Sequence, residues 1–292
     1  MFRRRRWNIG TLPVSDINPF TDTIARKVEW LPASSEWEVA ADCFISVTRG
    51  REIILGELMQ RAEGRGVIAA WEHRGARWEL MGIAIQEAGV HLSYPFLFTF
   101  QEHIYCVPER AEGGPPVLYR AIEFPLRWRR IGELLSESTA IDPTIFEFDG
   151  RWWLAHTDPG DRQARLMMWH SRLPFGPWEP HCGNPVKRDP GSARGAGTPF
   201  IWKGDLIRPA QDCSLNYGSR IVFNRVCELT PHTFREEPVG TLAPDLKGPY
   251  PHGLHTISIS GGLAAIDGSR YVCDPRAWLY ARRQRRARHI QG

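Results

Sequence analysis

Nowhere does this 292-residue chain carry an apolar run near the roughly 18 residues that a membrane-spanning helix requires. Its start is basic (Arg3–Arg6), but Trp7-Asn8-Ile9-Gly10 leads to Pro13 and Asp16, without the apolar stretch of a secretory leader. The six cysteines (Cys43, Cys106, Cys182, Cys213, Cys227 and Cys273) form no CxxC pair, and most fall inside expected strands. Reduced, buried thiols in a cytoplasmic protein are expected, rather than disulfides or a zinc site. GxSxG, the phosphate-binding P-loop, HExxH and the dinucleotide GxGxxG are all missing. The glycine-rich stretch from Gly191 to Gly197 lacks a lysine and leads into a strand, so no nucleotide cradle is read there. Proline at 23 positions argues against any long helix.

Nucleic-acid binding is disfavoured as well, although the net charge is +4. Nine positive charges sit in Arg3–Arg6 and in Arg282, Arg283, Arg285, Arg286 and Arg288, so without them +4 becomes −5. The basic runs are expected to be solvated ends, with 281–292 as a tail beyond a single domain spanning 1–280.

What the chain does contain is a repeat of about 50 residues. Five segments share a pattern: Asp42-Cys43-Phe44-Ile45, Tyr94-Pro95-Phe96-Leu97, Asp142-Pro143-Thr144-Ile145, Thr198-Pro199-Phe200-Ile201 and His255-Thr256-Ile257-Ser258. Each is followed by a second strand, at Ile53–Glu57, Ile104–Glu109, Trp152–Thr157, Leu206–Gln211 and Tyr271–Asp274. Turns at Asp149-Gly150, Lys203-Gly204-Asp205 and Asp267-Gly268-Ser269 separate strands. Trp78, Trp128 and Trp178 mark outer strands 50 residues apart, and most of the 12 tryptophans are read as packing between sheets. The expected fold is an all-β, five-bladed β-propeller, one sheet per unit. Trp7–Thr11 would supply the strand missing from the last unit and close the ring, while residues 12–36 connect.

In a propeller the starts of first strands and the ends of second strands converge on the axis. The polar residues at those places are Asp42, Glu57, His91, Ser93, Tyr94, Glu109, Asp142, His156, Arg194, Arg208, Gln211, Asp212, His252 and His255. They interrupt strongly apolar strands, which is costly unless they are paired or face a solvated cavity. Each also has a structural reading. Asp142 before Pro143 can cap a turn. Glu57 and Glu109 can end exposed strands, His255 can be a satisfied core histidine, and Arg208 can be salt-bridged. Asp42, Glu57, Tyr94, Glu109, Asp142, His156, Arg208, Gln211 and His255 are expected around one cavity on one face.

The run Ser192-Ala193-Arg194, then Arg208-Pro209-Ala210-Gln211-Asp212-Cys213, then Tyr217-Gly218, resembles the most distinctive motif of a known domain. This is the N-terminal propeller domain of glucosamine inositolphosphorylceramide transferases, which some bacterial proteins share, fused in places to formyltransferase-like domains. Trp7-Asn8-Ile9-Gly10, His91-Leu92-Ser93-Tyr94-Pro95, Pro108-Glu109, Asp142-Pro143-Thr144-Ile145-Phe146 and Gly150-Arg151-Trp152-Trp153-Leu154 match too, so the resemblance covers nearly the whole chain. That domain is similar in turn to the five-bladed propellers of glycoside hydrolase family 43, whose three axial acids act as base, acid and tuner of the acid. The resemblance puts Asp42 at the base position, with Asp-Cys-Phe for the hydrolases' Asp-Pro-Phe. Tyr94 replaces their second-blade aspartate, and Asp142 stands in the third unit where no counterpart of their acid glutamate is evident.

The resemblance implies carbohydrate-related chemistry or binding. Asp42 is expected as general base or nucleophile, Glu109 as general acid and Asp142 as the orienting carboxylate. Glu57, His91, Ser93, Tyr94, His156, Arg194, Arg208, Gln211, Asp212 and His255 would contact substrate, with Arg194 and Arg208 suited to a carboxylate or phosphate. No metal or cofactor is expected beyond a structural water or ion on the axis. The expected ligand is a small molecule or glycoconjugate. A non-catalytic sugar-binding or scaffold propeller serving a biosynthetic partner protein, and an unrelated secondary-metabolism reaction in the same cavity, stay open beside a carbohydrate-active enzyme.

Overall fold

The computed structural model describes residues 3–32, 37–60, 64–111, 114–136 and 139–273. The basic segment 281–292 and the end of the expected domain, 274–280, lie outside the described residues.

Along the chain the strands are β1 (Arg3–Pro13), β2 (Asp22–Ala25) and β3 (Glu29–Trp30), then β4 (Trp37–Thr48), β5 (Arg51–Gln60), β6 (Gly66–Arg74) and β7 (Arg77–Ile85). There follow β8 (Leu92–Phe100), β9 (His103–Arg110), β10 (Val117–Glu123) and β11 (Arg127–Glu133). Next come β12 (Ile141–Phe148), β13 (Arg151–Thr157), β14 (Arg165–Ser171), β15 (Glu179–Pro180) and β16 (Lys187–Arg188). The chain continues with β17 (Phe200–Trp202), β18 (Asp205–Asp212), β19 (Arg220–Leu229), β20 (Phe234–Pro244), β21 (Ile257–Ser260) and β22 (Leu263–Cys273). Among the described residues only Val14–Asp16 and Pro159–Asp161 are helical, as single 3-10 turns.

Strands β4 to β7 and β8 to β11 each pair antiparallel in chain order. β12, β13 and β14 do the same, with β15 and β16 both on the outer side of β14. β17 to β20 form another such run, extended by β2 lying parallel on β20. β1 pairs antiparallel with β22 along its whole length, from Arg3 opposite Cys273 to Pro13 opposite Leu263. One parallel bridge, Trp7 to Val39, joins the β21-β22-β1 group to β4.

Three expectations are corrected here. Arg3–Arg6 are not a solvated end but the first half of β1. Arg5 donates from its guanidinium to Ser269 Oγ and to the carbonyls of Tyr217, Gly218 and His252. Residues 12–36 are not merely a connection, because β2 and β3 join two different sheets from within that segment. The turn expected at Asp267-Gly268-Ser269 is the middle of β22; the chain reverses at Gly261-Gly262 instead.

Inner strands are buried on both faces and read as near-continuous apolar runs: seven of the eight residues of β18 are buried, and six of the seven of β13. The outer strand β11 has no buried residue. Phe44, Tyr94 and Phe96 pack edge-on between β4 and β8, and each buried aromatic of this kind contributes about 1.5–3 kcal/mol. Trp78, of the 50-residue series, is buried and donates to Thr11 Oγ1.

The first strands touch one another side by side. Ser258 and Ser260 of β21 accept the N–H groups of Ile45 and Val47 in β4. Tyr94 of β8 reaches Thr144 of β12 and the N–H of Gly197, and Gly197 bridges to Ile257 of β21. Gly197 has φ +117°, and a Cβ there would fall 1.8 Å from the Ile257 carbonyl oxygen, so only glycine allows this approach.

β4, β8 and β12 share one irregularity near their starts. Pairing with the second strand slips between Ala41 and Phe44, between Ser93 and Phe96, and between Ile141 and Thr144. At each slip a non-glycine residue is left-handed: Asp42 at φ +53°, Tyr94 at +44° and Asp142 at +52°.

Deleting residues 1–13 removes β1 and leaves β22 with one bare edge. Calorimetry on the truncated chain is expected to show loss of the cooperative unfolding transition, with aggregation through the exposed edge. A truncated chain that melts cooperatively within a few degrees of the full-length protein would show that β1 is dispensable.

Candidate functional site

The slips aim side chains into a cavity of about 280 Å³ at one end of the first strands. Of the residues expected there, Asp42, Glu57, His91, Ser93, Glu109, Asp142, Arg194 and His255 line it, joined by Trp7, Arg162 and Tyr217. A larger hollow of about 780 Å³ lies at the other end, beside the β4–β5 and β8–β9 turns, away from these carboxylates.

Asp42 is held on the β21–β22 side. Its backbone N–H donates to Asp267 Oδ2 (3.1 Å), and its own carboxylate accepts from Thr256 Oγ1 (3.1 Å). His255 Nδ1 lies 2.5 Å from Asp267 Oδ2, and its Nε2 lies 3.8 Å from Asp42 Oδ1. Trp7 stacks on the His255 ring at 3.9 Å, and Tyr217 meets it edge-on. Asp267 is fully buried and also accepts the backbone N–H groups of His255 and Thr256. Burial opposes charge on both partners, but their mutual attraction outweighs it, raising His255 above and holding Asp267 below their ordinary ranges. Asp42 is pushed up to about 7, chiefly by burial and further by the neighbouring carboxylates Glu57, Asp267 and Asp142, against the pull of His255. Asp42, His255 and Asp267 are close enough to hold a cation, but the short bond to His255 Nδ1 already occupies Asp267.

Asp267 was missed because Asp-Gly between β-rich runs imitates a hairpin turn. The usable signal was its equivalence to Glu109. Each is a second-strand carboxylate that accepts the N–H of the left-handed aspartate on the following group, Asp42 for Asp267 and Asp142 for Glu109.

On the opposite wall Arg194 spans Asp142, with Nε 2.6 Å from Oδ2 and Nη2 3.4 Å from Oδ1. Its Nη1 donates to the Arg162 carbonyl, and its guanidinium lies over the Tyr217 ring. Gln211 donates to Asp142 Oδ2 (3.3 Å) and to the Gly195 carbonyl from behind. Glu109 is pushed well above the usual carboxylate range, first by burial and then by the charge of Asp142. Arg162 Nη2 stands 3.9 Å from Glu109 Oε1. Between the two walls, His91 Nδ1 accepts the Gly66 N–H, which leaves Nε2–H to donate to Glu57 Oε1 at 3.0 Å.

Four expected site residues are engaged elsewhere. Tyr94 has its left-handed backbone at the equivalent place, but its buried hydroxyl accepts from Gly197 N–H and pairs with Thr144. His156 accepts from Trp169 Nε1 and sits with Arg208 at a separate void with room for about one water. Burial lowers its pKa and keeps it neutral. Arg208 forks onto Glu236, which Lys187 also contacts, and donates to the Ser192 and Ala193 carbonyls. Asp212 is bound by Ser214 and Arg220. Of the four, Arg208 is drawn off by a charge partner remote in sequence, Glu236.

The architecture defines the class: an all-β propeller of the kind found among glycoside hydrolases. The chain is similar in fold to a family 117 glycoside hydrolase from the marine bacterium Zobellia galactanivorans, with TM-score 0.55 and 15% identity over 81% of this chain and 86% of that one. It is similar also to an exo-1,5-alpha-L-arabinanase from a bovine ruminal metagenomic library, with TM-score 0.53 and 11% identity over 72% of this chain and 86% of that one. Residues 24–248 match the family described as "Glucosamine inositolphosphorylceramide transferase 1, N-terminal", and the chain belongs to that family. A relative of that name from Oryza sativa subsp. japonica is 37% identical over 212 residues, which are 68% of this chain and 28% of the relative. The Arabidopsis thaliana protein is 41% identical over 170 residues, 56% of this chain and 22% of its own length. The matched part of the chain thus spans only 22–28% of the length of these curated relatives.

Two outcomes follow from the buried charges. Glu236→Ala leaves Arg208 and Lys187 without their shared partner and is expected to cost about 3–5 kcal/mol in urea denaturation. A change under about 1 kcal/mol would mean that the cluster is solvated. Asp42, with its folded pKa raised to about 7, binds a proton more tightly folded than unfolded, so its contribution to stability falls as pH rises toward 7. Asp42→Asn should therefore gain on the wild type in melting temperature between about pH 4 and about pH 7. Parallel profiles would show that Asp42 titrates normally.

Proposed function

We propose that the axial cavity is a carbohydrate site and that the chain carries out acid–base chemistry on a sugar or glycoconjugate there. The observation that carries this reading is the presence of two carboxyl groups in different electrostatic environments on the lining of one cavity. Burial pushes Glu109 well above the usual carboxylate range, while Asp42 is raised to about 7 against the pull of His255. Glycosidic chemistry needs this division: one group donates a proton to the leaving oxygen, and the other activates the incoming hydroxyl or attacks the anomeric carbon. Asp42 fits the second role and Glu109 the first. Asp142, bound to Arg194 and Gln211, keeps Glu109 in place through its N–H and raises its proton affinity through its charge. Proton transfers of this kind need no resident cofactor. Family membership supports the reading, because the plant relatives are named as transferases of a glucosamine inositolphosphorylceramide and a sugar stands in that name.

The reading extends to the whole architecture, as a single five-bladed propeller. β4, β8, β12, β17 and β21 would each head a blade, and β1 would complete the last. The pairing of Trp7–Thr11 with β22 supports it, as does the side-by-side contact of first strands.

A second reading, a sugar-binding propeller without turnover, is favoured by two bound carboxylates, since Asp142 is spanned by Arg194 and Glu57 is held by His91. Under the catalytic reading, Asp42→Asn and Glu109→Gln each lower turnover of a processed sugar substrate by about 10²-fold or more while leaving its binding intact. Turnover equal to wild type in both variants would remove the catalytic assignment, and ligand binding without any turnover in the wild type would establish the second reading.

A further inference from the structure

The cavity is rich in cations, but nearly all of them are already committed. Arg194 spends its guanidinium on Asp142 and on the Arg162 carbonyl, and its flat face covers Tyr217. His255 is pressed against Asp267. His91 uses Nδ1 as an acceptor from Gly66, so it is neutral, and its Nε2–H points to Glu57. Arg208 is turned away onto Glu236. Arg162 differs. Its side chain is 56% exposed at the cavity wall, and its nearest carboxyl oxygen is Glu109 Oε1 at 3.9 Å, beyond hydrogen-bonding reach. Nearby Asp158 and Asp161 face Arg165 instead. The backbone under Arg162 is anchored, because its carbonyl accepts from Arg194 and the Asp158 side chain caps the preceding turn.

We propose that the ligand of the axial cavity carries an anionic group, and that Arg162 is the residue that holds it. This rests on the reading of the cavity as a sugar site and narrows it to acidic sugars, phosphorylated or carboxylated. A guanidinium beside a cavity, mostly exposed, without a carboxylate within hydrogen-bonding distance and fixed at its backbone, is suited to a two-pronged bond with phosphate or carboxylate oxygens. Neither Arg194 nor Arg208 can take this part without breaking a buried ion pair.

The test is calorimetric titration of the full chain with glucose 1-phosphate, glucuronate, glucose and inorganic phosphate, for wild type, Arg162→Ala and Arg162→Lys. Arg162 is mostly exposed, so the variants are expected to fold, and their melting curves check this. The expected result is that at least one anionic sugar binds the wild type about tenfold or more tighter than glucose. Arg162→Ala should erase that margin while leaving glucose within about twofold, and Arg162→Lys should keep part of it. If glucose 1-phosphate distinguishes the variants and glucuronate does not, the anion is a phosphate; the reverse assigns a carboxylate. Equal binding of charged and neutral sugars, a margin untouched in Arg162→Ala, or no binding by any probe overturns the proposal. Binding of inorganic phosphate that depends on Arg162, with no sugar bound in any form, leaves the anion site standing and removes the carbohydrate reading.

Discussion

The interaction on which the rest depends is a buried carboxylate accepting a backbone N–H from the next group of strands. Asp267 does this for Asp42, and Glu109 does it for Asp142. In both cases the recipient is a left-handed aspartate at a strand slip, a backbone state that costs of order 1 kcal/mol or more and persists only when its surroundings hold it. A hydrogen bond from the neighbouring second strand supplies that hold, charge-assisted at Asp267, which is held below the carboxylate range. The same bond stitches adjacent groups together, turns two aspartate side chains into the cavity and keeps the accepting carboxylates out of water. Fold and electrostatics therefore share one origin.

From that arrangement the acids diverge. Asp267 has His255 at 2.5 Å and is held below the carboxylate range, while Glu109 has Arg162 only at 3.9 Å and is pushed well above it by burial and by Asp142. The Asp42 carboxylate accepts the Thr256 hydroxyl but has only a 3.8 Å approach from His255, which leaves it between the two extremes. Buried carboxyls a few residues from a strand end behave differently because their partners differ, not because their depths do.

The family's most distinctive motif takes on a mechanical meaning. Arg208 grips the Ser192 and Ala193 carbonyls while its fork is fixed by Glu236. That grip sets the course of the chain into Arg194, whose guanidinium then meets Asp142. One arginine of the motif holds the backbone so that the other can neutralise an axial acid. Tyr217, at the end of the motif, completes the arrangement by stacking under Arg194 and against His255.

Local chemistry in the sequence determined the strands, the 50-residue repeat and the places where polar residues break into apolar runs. Asp42, Glu57, Glu109, Asp142 and His255 could be picked out for that reason, since alternation and turn chemistry act over a few residues. The sequence did not determine which partner each polar side chain meets. Arg208 was legible as a site residue and became a clamp because Glu236, 28 positions later, reaches it from β20, two strands away in the same sheet. Asp267 was passed over as a turn because Asp-Gly is ambiguous without knowledge of what packs against it. Arg162 carried no pattern at all, being a lone arginine in a polar loop. Long charged side chains reach across sheet boundaries, and pairing in a low-dielectric interior is decided by distance in space, so only the tertiary structure could divide these residues between scaffold and site.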